Sequence, residues 1–272
     1  MFSFNIMKWI YLSVTVLFTV TYSYLFWIGE VPVLAYFLMA DLSVWCAGSV
    51  YLAVVQNKEN ALIGLMGECK IAEFIEKYSH EHAKDTRKGF STPATILLAT
   101  AYMHLGDIET SLQMFQLAEL QNPQKVKRKQ LAEVTTQCAI YHNNLSTAYL
   151  RNHDIENAKL HMEKAQEYLK QLQGLEDKKG ENTTTIEILN RSLSNRELEL
   201  GLELGSKLDY AEKINQLNQY VARADNLLNR VYLHYLLYVL YKKTGNVEEA
   251  HRCREFVREN GGDTCYVQWV EG

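Results

Sequence analysis

Cysteine and histidine are the residue types in this chain that most often support chemistry, but their spacing favours no reactive site. The five cysteines are dispersed and form no C-x-x-C pair, which argues against a zinc site, a redox centre or a disulfide framework. The histidine cluster is His80-Glu81-His82, and residues two apart on a helix point in different directions, unlike those of H-E-x-x-H. We therefore predict no metal site and no cofactor.

Nucleotide-binding and nucleophile motifs do not occur either. The segment Gly201 to Lys207 contains two glycines and a lysine, but its spacing is not that of a P-loop and no predicted strand precedes it. No G-x-S-x-G sequence occurs, and no Ser or Cys nucleophile can be paired with a base from the sequence. We predict that the chain is not an enzyme and assign no catalytic residue.

Composition narrows the class of protein further. The chain has 272 residues, of which 47% are hydrophobic and 11% aromatic, and this content is ample for a buried core. Three prolines and 14 glycines exclude a collagen-like chain and disfavour a sandwich of many short strands. With 28 Lys and Arg against 32 Asp and Glu, the net charge of −4 disfavours a nucleic-acid-coating protein. These values indicate a helix-rich protein without a nucleic acid partner.

The first 55 residues carry almost no charge and contain two apolar runs. Residues 9–28 are uncharged over about the length that an α-helix needs to cross roughly 30 Å of hydrocarbon. A cleaved signal peptide fits poorly, because the run is long and no small-x-small site follows it. We predict a transmembrane hairpin in residues 1–56, with helices over about 9–28 and 31–55. A buried core helix is the alternative for the second segment.

Lysines near the ends of these runs predict an orientation in the membrane. Lys8 precedes the first run, whereas Lys58 and Lys70 follow the second, so both termini should face the cytoplasm. This predicts a two-pass integral membrane protein with the remainder of the chain in the cytoplasm. Asp41 lies inside the second run. It is interpreted either as a proton, ion or partner site or as a hydrogen-bonded carboxyl within the hairpin or a homo-oligomer contact.

From residue 57 onward, apolar residues recur every three or four positions, which is the pattern of amphipathic helices. No segment alternates apolar and polar residues long enough to indicate a sheet. We predict an all-α fold, with an amphipathic connecting helix in residues 57–90, a helical repeat domain in 91–260 and a short tail in 261–272. The tail residues expected to pack against the last helix are Cys265, Tyr266, Val267, Trp269 and Val270.

Three stretches of the body repeat one design. Each has a Leu, a Tyr four residues later, a tight turn four residues after that, and a small residue nine positions after the Tyr. The small residue lets a second helix approach the first, and Gly or His-Asp makes the turn. The three sets are Leu98, Tyr102, Gly106-Asp107 and Ser111; Leu145, Tyr149, His153-Asp154 and Ala158; and Leu237, Tyr241, Gly245-Asn246 and Ala250.

This design resembles the tetratricopeptide repeat family. The first stretch matches best, because Phe115, Ala118 and Pro123 are also in register. The spacing departs from the family, whose repeat is 34 residues long, because the small residues lie farther apart. We therefore predict an irregular α-solenoid with some long helices, among them one from Lys125 to Arg151. A weaker fourth unit would use Leu198, Leu202 and Ala211.

The resemblance implies a function as well as a fold. Members of the family bind peptides, helices or partner proteins on a concave face that comes mainly from the first helix of each pair. We therefore expect a membrane-tethered adaptor or scaffold for an unknown protein or peptide partner. One alternative is a subunit of a membrane complex with its specific contacts around Asp41, and a small-ligand receptor or an enzyme is the last. The implied face residues are Ile96, Thr100, Met103, His104, Asn143, Thr147, Arg151, Tyr235, Val239, Lys242 and Lys243.

Overall fold

The computed structural model describes residues 16–29 other than 18 and 22, and residues 33–83, 91–176 and 183–272. Within those ranges the regular structure is entirely helical and contains no strand, which confirms the predicted all-α class. The helices are α1 Val33–Gly67, α2 Ile71–Ala83, α3 Thr92–Leu105, α4 Ile108–Leu117, α5 Arg128–Arg151, α6 Ile155–Glu176, α7 Thr183–Glu203, α8 Tyr210–Ala222, α9 Leu227–Thr244, α10 Val247–Asn260 and α11 Cys265–Glu271, with a 3-10 turn at Pro123–Lys125.

The chain divides into two compact units, Met1–Ile63 and Gly64–Gly272. In the first unit the described residues between 16 and 27 are helical, and α1 begins at Val33. Across the described part of the chain, no helix combines the length and the apolar character that a membrane crossing requires. This finding contradicts the predicted two-pass integral membrane protein, including the cytoplasmic placement of its repeat domain.

The prediction rested on the low charge of the two runs and on the Leu, Ile, Phe and Val residues that make up about half of each. Residues 9–28 interleave their aliphatic side chains with Ser, Thr, Tyr and Trp. The helix predicted over the second run does not end at Val55. It continues, as α1, through the polar segment 56–60 to Gly67. A span needs about 20 residues that are predominantly apolar in one helix. Residues 1–15 and 30–32 of the predicted hairpin, and the side chain of Asp41, lie outside the described residues.

The amphipathic helix predicted within residues 57–90 is divided by a turn at Cys69. The amides of Cys69 and Lys70 donate to the carbonyls of Met66 and Leu65 at 3.1 and 3.0 Å, which closes the C-terminal end of α1. Cys69 itself has a left-handed φ of 60°, which is uncommon for a residue other than glycine. Helix α2 then begins at Ile71 and buries Phe74.

Three helix pairs, α3–α4, α5–α6 and α9–α10, are joined by tight turns at the predicted positions. Gly106 and Gly245 take left-handed φ values of 95° and 75°, and His153 takes the same conformation at 58°. The residue after each turn then caps the next helix. Asp107 and Asn246, for example, accept hydrogen bonds from main-chain amides three residues later.

Buried serine hydroxyls join the two helices of the first two pairs. Ser111 on α4 donates to the carbonyl of Ala99 on α3 at 2.7 Å. Ser146 on α5 donates to the carbonyl of Ala158 on α6, also at 2.7 Å. All four residues are almost completely buried, so only small side chains fit at these contacts.

Two helix boundaries differ from the predictions. The long helix α5 begins at Arg128, because the preceding Pro123–Lys125 forms a separate 3-10 turn. The composition of residues 174–183 predicts a polar loop, but helix α6 extends to Glu176 and therefore includes Gly174. Residues 177–182 lie outside the described residues. These helices are longer than those of a 34-residue repeat and account for the irregular spacing of the small residues.

Candidate binding site

The C-terminal helix α11 packs against helices from both ends of the second unit. It contacts α10 and α9, which precede it in the chain, and it also contacts α3. The approach to α3 is close, because a Cβ atom on Gly106 would lie 3.0 Å from Cys265 Cβ. Helix α11 thus occupies the side of α3 and α9 to which several predicted face residues belong.

A short connection holds α11 in place. At Gly262 the φ is +56°, and a Cβ atom would lie 2.2 Å from the carbonyl oxygen of Cys69, so only glycine fits this position. The carboxylate of Asp263 accepts hydrogen bonds from the amides of Ile71 and Ala72, both at 2.7 Å. These amides are the first two of α2, and an aspartate is well suited to cap a helix N-terminus.

Tyr266 is the centre of the contact between α11 and the other helices. Its side chain is 0% exposed. The guanidinium of Arg151 donates one hydrogen bond to the Tyr266 hydroxyl at 2.6 Å and another to the carbonyl of Met103 at 2.8 Å. The Nδ1 atom of His104 lies 3.0 Å from the same hydroxyl. Residues from α3, α5 and α11 therefore meet at one phenol oxygen.

The protonation states of this cluster follow from burial. Burial and the nearby charge of Arg151 lower the pKa of His104 to about 3, so its imidazole is neutral at physiological pH. Burial raises the pKa of Tyr266 to about 12, so the phenol keeps its proton. Because Arg151 can only donate, we assign the Tyr266 hydroxyl as acceptor from Arg151 and donor to His104 Nδ1.

Aromatic rings complete the enclosure of Tyr266. Its ring centroid lies 5.6 Å from that of Tyr232 and 5.4 Å from that of Tyr235, both on α9. Trp269, one turn along α11, makes an edge contact with Tyr266 at 5.5 Å, and Arg151 lies 5.1 Å from the Trp269 ring centroid. We call His104, Arg151, Tyr232 and Tyr235 the Tyr266 seat.

A buried ion pair supports the seat from α7. The Arg196 guanidinium forms a close ion pair with Glu199, and the side chains of both are largely buried. The hydroxyl of Tyr232 donates to the same Glu199 carboxylate at 3.0 Å. Arg196 also helps to lower the pKa of His104. Tyr232 is thus fixed by α7 at one end and contacts Tyr266 with its ring.

Four of the predicted face residues meet at the seat and seven do not. Met103, His104, Arg151 and Tyr235 contact α11 or hold a residue that does. The other residues on α3 and α5, which are Ile96, Thr100, Asn143 and Thr147, are buried. They serve packing between helices, as when Thr100 accepts a hydrogen bond from Asn144 at 2.9 Å.

The three remaining candidates lie toward the C-terminal half of α9. Val239 is half-buried, whereas Lys242 and Lys243 are exposed. The ammonium of Lys242 lies 5.3 Å from the ring centroid of Tyr238. Among the described residues, none of these three takes part in the polar and ring contacts around Tyr266.

Sequence reasoning missed most of the groups that complete this site. The sequence predicts that Tyr266 and Trp269 are tail residues that pack on the last helix. In the structure they also contact residues of α3 and α5. Their spacing of three residues is the signal that could have indicated one face of a short helix. Arg196 and Glu199 carried no such signal, because charged pairs three residues apart are common on solvated helices.

The described cysteines are buried thiols. Cys69, Cys138, Cys253 and Cys265 are free and buried, and burial raises the pKa of Cys69 and Cys253 to about 11. Both are therefore protonated thiols and poor nucleophiles at neutral pH. In the described ranges, no group of three or more His, Cys, Asp or Glu side chains could hold a metal ion.

No protein-family model, curated protein or solved structure matches this chain. The resemblance to tetratricopeptide repeats therefore rests on the residue pattern of the three helix pairs. The role of the site has to be inferred from its own geometry.

Proposed function

We propose that this chain is a protein-interaction adaptor, an irregular tetratricopeptide-like α-solenoid that holds a short helical segment of a partner protein. One observation supports this proposal above the others. His104, Arg151 and Tyr235, which lie on three different helices of the predicted binding face, converge on the seven-residue helix α11. Helix α11 occupies the place that a partner segment would take.

The residue types around Tyr266 suit recognition of a peptide. Tyr, Trp and Arg dominate the binding energy of protein interfaces, because they combine large apolar area with directional polar groups. Here two tyrosine rings enclose the aromatic side chain, while Arg151 and His104 recognise its hydroxyl. A partner helix with Tyr and Trp three residues apart could make the same contacts with these rings and polar groups. We propose a binding role and assign no reaction.

The tether of α11 makes it a strong competitor for its own seat. A segment linked by a short connection has an effective concentration on the order of millimolar. A partner segment would therefore bind measurably only when α11 is weakened or displaced. This leads to a test in which the chain supplies both the receptor and the probe.

The test uses a fluorescent peptide with the sequence of residues 261–272 and measures its anisotropy on titration with the full chain. Tyr266→Ala weakens the attachment of α11 but retains the contacts of Gly262 and Asp263 with the α1–α2 turn. We expect the peptide to bind this variant at least about tenfold more tightly than the unaltered chain. Circular dichroism establishes that the variant is folded.

Matched controls separate the seat from the rest of the surface. On the Tyr266→Ala background, Tyr235→Ala should weaken peptide binding, whereas Lys243→Ala changes an exposed residue and should not. A second peptide with Ala in place of Tyr266 and Trp269 should not bind. If the folded variant does not bind the first peptide, or binds both peptides equally, the proposed use of this face is wrong.

A further inference from the structure

A small cavity opens between α7 and the junction of α8 with α9. Its volume is about 160 Å³, and its polar lining comes from Arg191, Ser192, Asn195, Tyr220, Asp225 and Asn229. Side chains of Ile188 and Leu233 contribute apolar walls. The lining includes Tyr232, but none of the polar groups named above belongs to the Tyr266 seat.

One buried amide in the lining of this cavity has unused hydrogen-bonding capacity. The side chain of Asn195 is only 7% exposed and has no hydrogen-bond partner among the described residues, although it lines the cavity. Burying a polar group without a partner is costly, so the Asn195 amide indicates that a polar ligand belongs here.

The cavity also presents one cation and one anion that do not neutralise each other. Within the described ranges the guanidinium of Arg191 forms no salt bridge, although it lines the cavity. The carboxylate of Asp225 accepts a hydrogen bond from Asn229 Nδ2 at 2.8 Å, which fixes its orientation. A ligand that carries both a carboxylate and an ammonium group would complement this pair.

The volume of the cavity is suited to a small molecule. At roughly 30 Å³ for each water molecule in the liquid, a volume of about 160 Å³ corresponds to about five waters. Pockets for cofactors and drug-sized ligands begin near 300 Å³. A cavity of this volume suits a ligand of the size of a single amino acid.

We propose that this cavity is a binding site for a free α-amino acid. Its carboxylate binds Arg191 and the Asn195 amide, and its ammonium group binds the Asp225 carboxylate and Asn229 Oδ1. Arginine suits this role because its planar guanidinium holds a carboxylate through two parallel hydrogen bonds. The cavity shares Tyr232 with the Tyr266 seat, but the groups proposed to bind the amino acid are not those that contact Tyr266, so either proposal can fail without the other.

The test measures thermal unfolding of the full chain with each of the twenty common L-α-amino acids at about 10 mM. Each amino acid is paired with its analogue that lacks the α-amino group and with its analogue in which the carboxylate is an amide. At a ligand concentration of about one hundred times Kd, we expect the Tm to rise on the order of 5 °C. Calorimetric titration of the best amino acid then provides the Kd.

Two substitutions assign the contacts, and a third is the matched control. Arg191→Gln should weaken binding of the best amino acid at least about tenfold. Asp225→Asn should remove the preference of the chain for this amino acid over its deaminated analogue. Arg230→Gln changes an exposed arginine next to Asn229 that does not line the cavity, and it should leave Kd unchanged.

Three results would overturn the proposal. The first is the lack of any Tm increase across the whole panel. The second is equal binding of an amino acid and its two analogues by the unaltered chain, a comparison that does not depend on the folding of any variant. The third is an unchanged Kd in Arg191→Gln.

Discussion

The turns of the helix pairs and the Tyr266 seat are built from interactions of very different reach. In the turns, Asp107 and Asn246 bond to amides three residues away. In the seat, Tyr266 bonds to Arg151 across 115 positions of sequence and to His104 across 162. The turns occur three times with small variations, whereas the described residues contain one such seat.

This difference indicates where the stability of the second unit is concentrated. A turn joins two helices and can fail without affecting the next pair. The seat joins α3, α5 and α11 through hydrogen bonds that share one hydroxyl, and it joins α9 to them through ring contacts, so a change at one member alters the others. We therefore expect large, coupled effects at the seat and small, additive effects in the helix pairs.

The largest effect is expected for Tyr266→Ala. Because the ring is completely buried, its loss should lower the free energy of unfolding by about 3–5 kcal/mol. Tyr266→Phe keeps the ring but leaves Arg151 and His104 without their shared partner, and should cost about 1–3 kcal/mol. Urea denaturation measures both. Equal losses for the two variants would mean that hydrogen bonding, rather than ring packing, dominates the seat.

A pair of glycine substitutions compares the two regions directly. Gly245 and Gly262 both have positive φ, but only at Gly262 would a Cβ atom collide with a carbonyl, that of Cys69. Gly245→Ala should cost about 1–2 kcal/mol from backbone strain alone. Gly262→Ala should cost about 1–3 kcal/mol more than Gly245→Ala, because its Cβ atom would also collide with the carbonyl of Cys69. If chemical denaturation gives the same loss for both, the close approach of the tail to Cys69 is incorrect.

Acid should weaken the seat through His104. Its folded-state pKa of about 3 lies below the unfolded value near 6.5, so the unfolded chain binds the extra proton between these values. The contribution of His104 to the free energy of unfolding is greatest above pH 6.5. It falls as the pH decreases and is smaller by about 2 kcal/mol at pH 5. His104→Gln should remove this part of the pH dependence. Denaturation midpoints at pH 7 and pH 5 test this expectation. If His104→Gln loses as much stability between these pH values as the unaltered chain, the low pKa of His104 is contradicted.

The smallest effects are expected in the helix pairs. Ser111→Ala and Ser146→Ala each remove one buried hydrogen bond to a helix carbonyl and should each cost about 1 kcal/mol. Because the two bonds lie in different pairs, the double variant should equal the sum within about 0.5 kcal/mol. A clearly non-additive result would show that the pairs are not independent.

Prediction from sequence succeeded where the determining interactions are local. The all-α class and the turns at Gly106 and Gly245 follow from helical periodicity and from the conformational freedom of glycine. It failed at the N-terminal segment, where no described helix combines the length and the apolar character of a membrane span. It was also incomplete at the binding face, where Ile96 and Thr147 are buried between helices. First-helix positions identify a face, but not which side chains are covered by a neighbouring helix.

By itself, the sequence determined the helices, their turns and the small residues between paired helices, because each depends on neighbours within about a dozen positions. Only the tertiary structure decided that α11 returns to α3 and that Arg151 meets Tyr266. It likewise decided that Asn195 is buried and lines the same cavity as Arg191. The physical reason is that burial, and with it the protonation and pairing of a polar group, depends on which distant segments exclude water from it.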